Sequence, residues 1–579
     1  MILTRWLVSG VLLFSMVVPR SAAPCTTTLI TKGATVDGSV FVSHSDDDEL
    51  GDQRIIYVPA ADHKPGEKRP VHYDASCYGA MPEYGVGLPR YVGTGRGPGY
   101  VNKSLPPDTP IGYVDQVPHT YAYFDANYGI MNEHQLCFGE CTDGAKVEPL
   151  PEPGKRMFYS SELSRVALER CTKAREAIKL MGSLIDQYGY YGTGETLLVA
   201  DTEEGWVFEM CGYDLNGKDG LWVAKRVPDG EVFVAANEFR IRDVEPNSPD
   251  MMHSANLFDV AQKLGWWKPS DGKLDWLKTV SNGEYNHPYY SLRRVWSLLR
   301  RLQPSANYSP WVEDGFTRAY PFSVKPDKKL ALSDVFALHR DHYEGTEFDL
   351  TKGPAAGPYG SPNRFIGKYD GNQNNVSTPG QTMWGAWERA ISVFYCGYTQ
   401  VNQARSAFPD PIGGVCWFGP DRPSETCFVP FYVGVTGLPQ TYQAGSTEAF
   451  QLKAAWWAFD FVSNWADLKY SYMKEDVRAK QAELETKELS VQKAVDIAAA
   501  ELYKTSPERA REYLTDYCTD NATRVMAEWW ALAGKLVQKY ADGYVNEPGN
   551  MAQEVGYPEE WLKRVGYDKG PITYKQPGK

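Results

Sequence analysis

The sequence has no CxxC pair. Its ten cysteines stand at 25, 77, 137, 141, 171, 211, 396, 416, 427 and 518, so zinc-ribbon and thioredoxin-like frameworks fall away. Cys137 and Cys141 are four apart, with no second pair to accompany them. Basic residues are in deficit: 60 Lys and Arg stand against 73 Asp and Glu, for a net charge of −13. Nucleic acid as partner is thereby excluded, because it demands clustered positive charge. Internal repeats, low-complexity tracts and long polar linkers are missing. After residue 24 no apolar run is long enough to span a bilayer. The H-E-x-x-H and D-x-D-x-D-G patterns of zinc peptidases and calcium loops are missing as well, and no metal or cofactor is expected.

What is present is core material. The 579 residues are 42% hydrophobic, which excludes disorder and fits one large decorated enzyme domain or two to three domains. Seventeen Trp and 37 Tyr serve an aromatic core or contact with an organic ligand equally well. Residues 1–24 read as a leader: Arg5 supplies a positive start, Trp6 to Val18 an apolar run, and Ser21-Ala22-Ala23 a small-x-small cleavage signal. The expectation is a protein exported by a cleaved signal peptide, secreted or periplasmic. Ala-Ala-Pro before Cys25 lacks the Leu of a lipobox.

Residues 25–60 read as strand, turn, strand: TTTLI, KGATVDG, SVFVSHS. Residues 61–120 read as ordered loops with short strands, and AYFDANYGIMNEHQLCF as a strand pair. Residues 160–187 carry the clearest helical period, with Leu163, Val166, Ala167, Cys171, Ala174, Ile178 and Leu184-Ile185 on one face. TLLVAD, GWVFEM, LWVAKRV and EVFVAAN come next as a meander of strands. Residues 290–302 and 331–343 look helical, VCWFG and CFVPFYVGV strand-like, and the chain from about 447 onward is helix-patterned. This order predicts an α+β fold with antiparallel sheet and helices outside.

A cysteine exposed as a new N-terminus carries nucleophile and base on one residue, because an α-amine titrates near about 7.7–8.0. Position alone makes Cys25 one of ten cysteines; the residues on its C-terminal side add weight. CTTTLITKGATVDGSVFVSHSDDDE resembles the opening of N-terminal-nucleophile hydrolases, specifically the peptidase C69 dipeptidases, relatives of the penicillin V acylases and bile salt hydrolases. GIMNEHQLCFGECT, SSELSRVALERCTKAREAI, RVPDGEVFVAANEFRI, RDHYEGTEFDLTKGPAAGPYGSP, ERAISVFYCGYTQVNQAR, PDPIGGVCWFGPD and AAWWAFDFVSNW are similar to that family's segments in its order. Gln135 stands where the family has Gly. The likeness runs from Cys25 to about Gly543.

The resemblance implies roles residue by residue. Cys25 matches the nucleophile. His44 and Asp47 occupy the places where the acylase relatives hold Arg and Asp. Asp47 would partner the α-amine and thiol, and His44 would make activity pH-sensitive near neutrality. Asn132 and Asn237 match the oxyanion-hole positions, where amide donors meet developing negative charge. Arg293, with Arg294 as the alternative, matches the downstream catalytic arginine. On residue type alone, each of these Asn reads as a turn residue and the Arg as a solvated one.

Asp46, Asp48 and Glu49 of HSDDDE, with Glu140, are expected to hold a peptide's free ammonium. A solvated charge run is the plain alternative. His339 and His342, with Asp341 and Glu344, read as structural or pocket-lining. The fold implied is a four-layer αββα sandwich of the N-terminal-nucleophile type over residues 25–446, with a mainly helical region over 447–579 packed on it. The function implied is a cysteine-dependent dipeptidase acting on short peptides through a thioester. A non-peptide amidase or acylase, and a non-catalytic surface or binding protein, are the alternatives. Oligomeric state and disulfide pairing are not legible.

Overall fold

The computed structural model describes residues 25–48, 51–74, 91–283, 290–312, 314–365, 387–447 and 449–569. Two large antiparallel sheets form the body. Their strands are β1 (Thr26–Ile30), β2 (Val40–Asp46), β3 (Ile56–Val58), β4 (Tyr123–Asp125), β5 (Gly129–Asn132), β6 (Cys137–Asp143), β7 (Gly194–Ala200), β8 (Gly205–Cys211), β9 (Leu221–Arg226), β10 (Val232–Ala235), β11 (Met251–His253), β12 (Ser323–Val324), β13 (Tyr398–Ala404), β14 (Val415–Pro420) and β15 (Val429–Tyr432). The first sheet runs β12-β10-β1-β2-β13-β14-β15, the second β11-β9-β8-β7-β6-β5-β4-β3. The protein is thus an α+β fold, as its element order predicts.

The sheets meet face to face where β1 and β2 lie against β6 and β7. Gly139 sets the closeness of approach. A Cβ there would come within 2.6 Å of Thr27 Oγ1 and 2.9 Å of Val42 Cγ1, well inside van der Waals contact. Helices cover the other surfaces. α1 (Ser160–Arg170) and α2 (Ala174–Tyr188) pack on the second sheet. α3 (Leu292–Leu302), α4 (Leu332–His339) and α5 (Ala455–Ala466) pack on β10, β13 and β14 of the first. The long α6 (Tyr470–Thr505) and α7 (Pro507–Lys539) pair with each other and reach β15. Pro507 at the first helical position and Ser506, whose hydroxyl accepts from Arg509 N–H, start α7. Among the described residues no helix is long and apolar enough to cross a membrane.

Three local expectations change. The helical period over 160–187 is broken in two, because Cys171 and Lys173 are extended. The Asn132 side chain donates to Leu168 O and Cys171 O there, and Asp201 accepts from Ala174 N–H at the start of α2. The meander ends after three strands: β10 leaves it and pairs with β1 in the other sheet. β13 is a strand that apolar alternation cannot reveal, since YTQVNQA is mostly polar yet buried throughout. All nine described cysteines are buried and none is in a disulfide.

Candidate active site

Cys25 sits immediately before β1, fully buried. The β-branched run of Thr residues makes β1 a central strand, hydrogen-bonded to β2 on one side and β10 on the other. This register places His44 and Asp46, at the end of β2, beside the start of β1, with Thr27 opposite His44 and Thr26 opposite Ser45. The close sheet contact at Gly139 brings the next residue, Glu140, to the same point. Cys25, His44 and Glu140 each offer a ligand atom within 4.8 Å of the other two.

The thiol is held protonated. Burial pushes its pKa well above the ordinary value, and the carboxylates of Glu140, Asp46 and Asp47 push it further. The Asp47 backbone N–H, directed at the sulfur, opposes this. Glu140 accepts from the thiol and from Thr142 Oγ1 at 3.0 Å. Burial raises its pKa to about 8. Glu195 lies beside it, linked through Thr142 Oγ1 at 2.9 Å and held by the Tyr159 hydroxyl. Burial, followed by the charge of Glu140, raises Glu195 well above the usual range. Two carboxyls this close in a dry site retain a proton between them at neutral pH.

His44 differs from expectation. Desolvation, with the charge of His339 adding to it, lowers its pKa to about 3, so it stays neutral and gives no titration near neutrality. Its Nε2 lies 3.6 Å from Glu140 Oε2 and 3.9 Å from Asp46 Oδ1. Asp47 is buried and paired with Arg389 at 2.6 Å, and Ser45 Oγ donates to it at 3.3 Å. Asp46 accepts from Asn127, and Asp48 is also buried. The plain reading of this run as a solvated surface therefore fails for Asp46, Asp47 and Asp48. Glu49 lies outside the described residues.

Two arginines adjacent in sequence part company. Arg294 donates to Cys25 O at 2.8 Å, Thr26 Oγ1 at 3.0 Å, Ala236 O at 3.2 Å and Asn237 Oδ1 at 2.7 Å. Arg293 stacks on Phe348 and Trp311. The guanidinium beside Cys25 is that of Arg294, the alternative to Arg293: the Arg294 side chain reaches β1, while that of Arg293 lies over aromatic rings.

The two expected oxyanion amides also differ. Asn237 has a left-handed backbone, φ 60°, which Asn tolerates better than most residues. Its Nδ2 donates to Thr142 O at 2.5 Å, and one arginine ties it to Cys25. Asn132 is elsewhere engaged: Nδ2 donates to two carbonyls of the α1–α2 break, and Oδ1 accepts from His134 and Leu136 N–H at 3.0 and 3.1 Å. Both amide hydrogens are spent, so the structure gives Asn132 the role of a helix cap, not of an oxyanion donor.

Sequence reasoning missed Arg389 and Glu195. Arg389 lies within the motif ERAISVFYCGYTQ, and its pairing with Asp47 joins that motif to β2. Glu195 is the register partner of Thr142, a relation that only strand pairing shows. The histidine segment is structural: His339 Nε2 bonds Ser43 Oγ at 2.8 Å, Asp341 pairs with Arg301 at 3.1 Å, and His342 bonds Glu344.

Known proteins share this plan in sequence. The model of Peptidase family C69 matches residues 118–483. A "Probable dipeptidase" of Salmonella dublin is 26% identical over 424 residues, 73% of this chain and 82% of the relative. A "Probable dipeptidase" of Latilactobacillus sakei is 25% identical, over 78% of this chain and 82% of its own length. "Dipeptidase A" of Lactobacillus helveticus is 21% identical, over 77% and 82%. The family match begins downstream of Cys25.

Proposed function

Since the chain belongs to peptidase family C69 and is a peptide-bond hydrolase, we propose that it is an exported dipeptidase whose nucleophile is the Cys25 thiol, freed with its own α-amine when residues 1–24 are removed. What carries this reading is one placement: a fully buried thiol at the head of a central strand, gripped through its own carbonyl by Arg294. A merely structural cysteine needs no such clamp.

The thiol's raised pKa means that it attacks only if a base removes its proton, and the freed amine is the nearest base. The amine takes the proton and sulfur attacks the peptide carbonyl. The second Nδ2 hydrogen of Asn237 serves the oxyanion, with Arg294 fixing the amide from behind. The α-ammonium then protonates the leaving amine. A thioester remains, which water hydrolyses as the amine again accepts a proton and returns it to the departing sulfur. Asp47, held by Arg389, receives the charge that forms on the α-amine. The two stacked sheets and their helices are read as an αββα sandwich of the N-terminal-nucleophile type over 25–446, with 447–579 as the helical region against it.

Glu140 and Asp46 form the acidic end of the site, and the substrate's free ammonium is proposed to seat there, with Asp48, buried two residues beyond Asp46, as a further carboxylate. A buried carboxylate gains on the order of 1.5–3 kcal/mol from such a charge-assisted bond, roughly ten- to a hundred-fold in selectivity over a capped analogue. The test compares kcat/KM for one dipeptide and its N-acetylated form. A preference of that size for the free amine supports the dipeptidase reading. Equal values would favour an acylase-type amidase.

A further inference from the structure

Beyond peptide hydrolysis, the side chains around Cys25 share a second chemistry. Cys25, His44 and Glu140 present a sulfur, an imidazole nitrogen and a carboxylate oxygen within 4.8 Å of one another, all buried. His44 Nε2 and Glu140 Oε2 are already 3.6 Å apart, close to the ligand-to-ligand spacing that tetrahedral zinc bonds of about 2.0–2.3 Å require. Among the described residues, neither ring nitrogen of His44 has a hydrogen-bond partner, although the ring is wholly buried. A buried imidazole left so is uncommon and calls for a partner.

We propose that these three side chains form a site for a thiophilic divalent cation, zinc foremost, which occupies the nucleophile in competition with peptide and holds the enzyme reversibly inactive. Thiolate, imidazole and carboxylate are the ligand types zinc selects. His44 is held neutral with a lone pair available, and the thiolate and one carboxylate balance the double charge. Binding displaces the thiol proton to solvent. Asp46, 3.9 Å from His44, adds negative charge beside the cation. The proposal rests on the hydrolase reading for its fourth ligand: the freed α-amine of Cys25 would close a five-membered chelate with the sulfur. The cation is an inhibitor and not a catalyst, because the sulfur, the α-amine and the Glu140 carboxylate it takes are groups the reaction needs free.

The experiment titrates the full mature enzyme with zinc against a chromophoric chelator, and separately with cobalt(II), tracking the thiolate-to-metal charge-transfer band. One equivalent is expected to bind with the band present, and a chelator is expected to restore hydrolysis. Cys25→Ser should abolish the band. His44→Gln and Glu140→Gln should each weaken zinc on the order of tenfold to a hundredfold, with thermal melts confirming that each variant is folded. Unchanged zinc affinity in folded His44→Gln, or no binding to wild-type enzyme in excess zinc, would overturn the site. Failure of the hydrolase reading is separate: it would appear as dipeptide hydrolysis surviving in metal-free Cys25→Ser.

Discussion

At the scale of the residue, Arg294 engages its whole guanidinium around Cys25: Nε donates to Tyr290 O at 2.9 Å, and the two terminal nitrogens serve β1, Ala236 and Asn237. Lysine keeps the charge and loses the fork. Arg294→Lys is therefore expected to lower kcat/KM by about ten- to a hundred-fold, the worth of one or two charge-assisted bonds. Arg293→Lys should lower the melting temperature, through its lost stacking on Phe348, while sparing kcat of the folded enzyme; steady-state kinetics and melts on both variants check this. Neighbours on a helix point about 100° apart, so residue type alone could not say which arginine faces β1. Titration at this scale belongs to Glu140. Its pKa is raised to about 8, so it ionises only as pH climbs through that value. Ammonium binding should strengthen from pH 6 to 8, and Glu140→Gln should flatten that limb of the kcat/KM profile. His44, at about 3, should contribute nothing in the same range. Sequence shows that position 44 is an imidazole, but its pH behaviour depends on burial, which no spacing reveals.

At the scale of the element, Asn132 and Gly139 show what strands do for the site. If Asn132 is a cap, Asn132→Ala leaves two carbonyls and two N–H groups short of partners and costs about 2–4 kcal/mol of stability, with kcat of the folded fraction nearly unchanged. If it were an oxyanion donor, kcat would fall about 10²–10³-fold with little loss of stability. Denaturant melts and kinetics on the one variant separate the two. Gly139→Ala should press β6 away from Thr27 and Val42, costing about 1–3 kcal/mol and lowering kcat/KM as Glu140 leaves Cys25. The strand pair that begins at Thr26 and the C-terminal helices were legible because their apolar periods are regular. β13 was not, because its Thr, Gln and Asn side chains are buried by cross-sheet hydrogen bonds such as Gln400 Nε2 to Phe138 O at 3.1 Å. The α1–α2 break was hidden because the apolar face continues through it while a distant strand supplies the caps.

At the scale of the whole molecule, buried ionisable groups set the pH range of stability. Glu140 and Glu209 are raised to about 8, and Glu238 to about 7, each chiefly by burial. Their native states keep protons that the unfolded chain releases above about pH 4.5, so the stability they contribute is lost as pH rises toward 8. His44, His72 and His339 are lowered to about 3. Their contribution is full above about pH 6.5 and is lost as pH falls through 3. The melting temperature should therefore peak at about pH 5–6 and decline toward pH 9, and a melt series across pH reads this directly. The fold class and the family resemblance were open to sequence because long motifs keep their order. The clustering of Cys25, Glu140, Arg294 and Asp47 was not, since four separated segments meet only through strand register. The central claim, a Cys25 nucleophile working beside its own free amine, is tested most directly by mass spectrometry. Active enzyme is labelled with a dipeptidyl chloromethyl ketone and its N-terminal peptide sequenced. The predicted result is a chain that begins at Cys25, with one label on that sulfur and none when a dipeptide is present in excess. Active enzyme that retains Pro24, or a label on another cysteine, would contradict it.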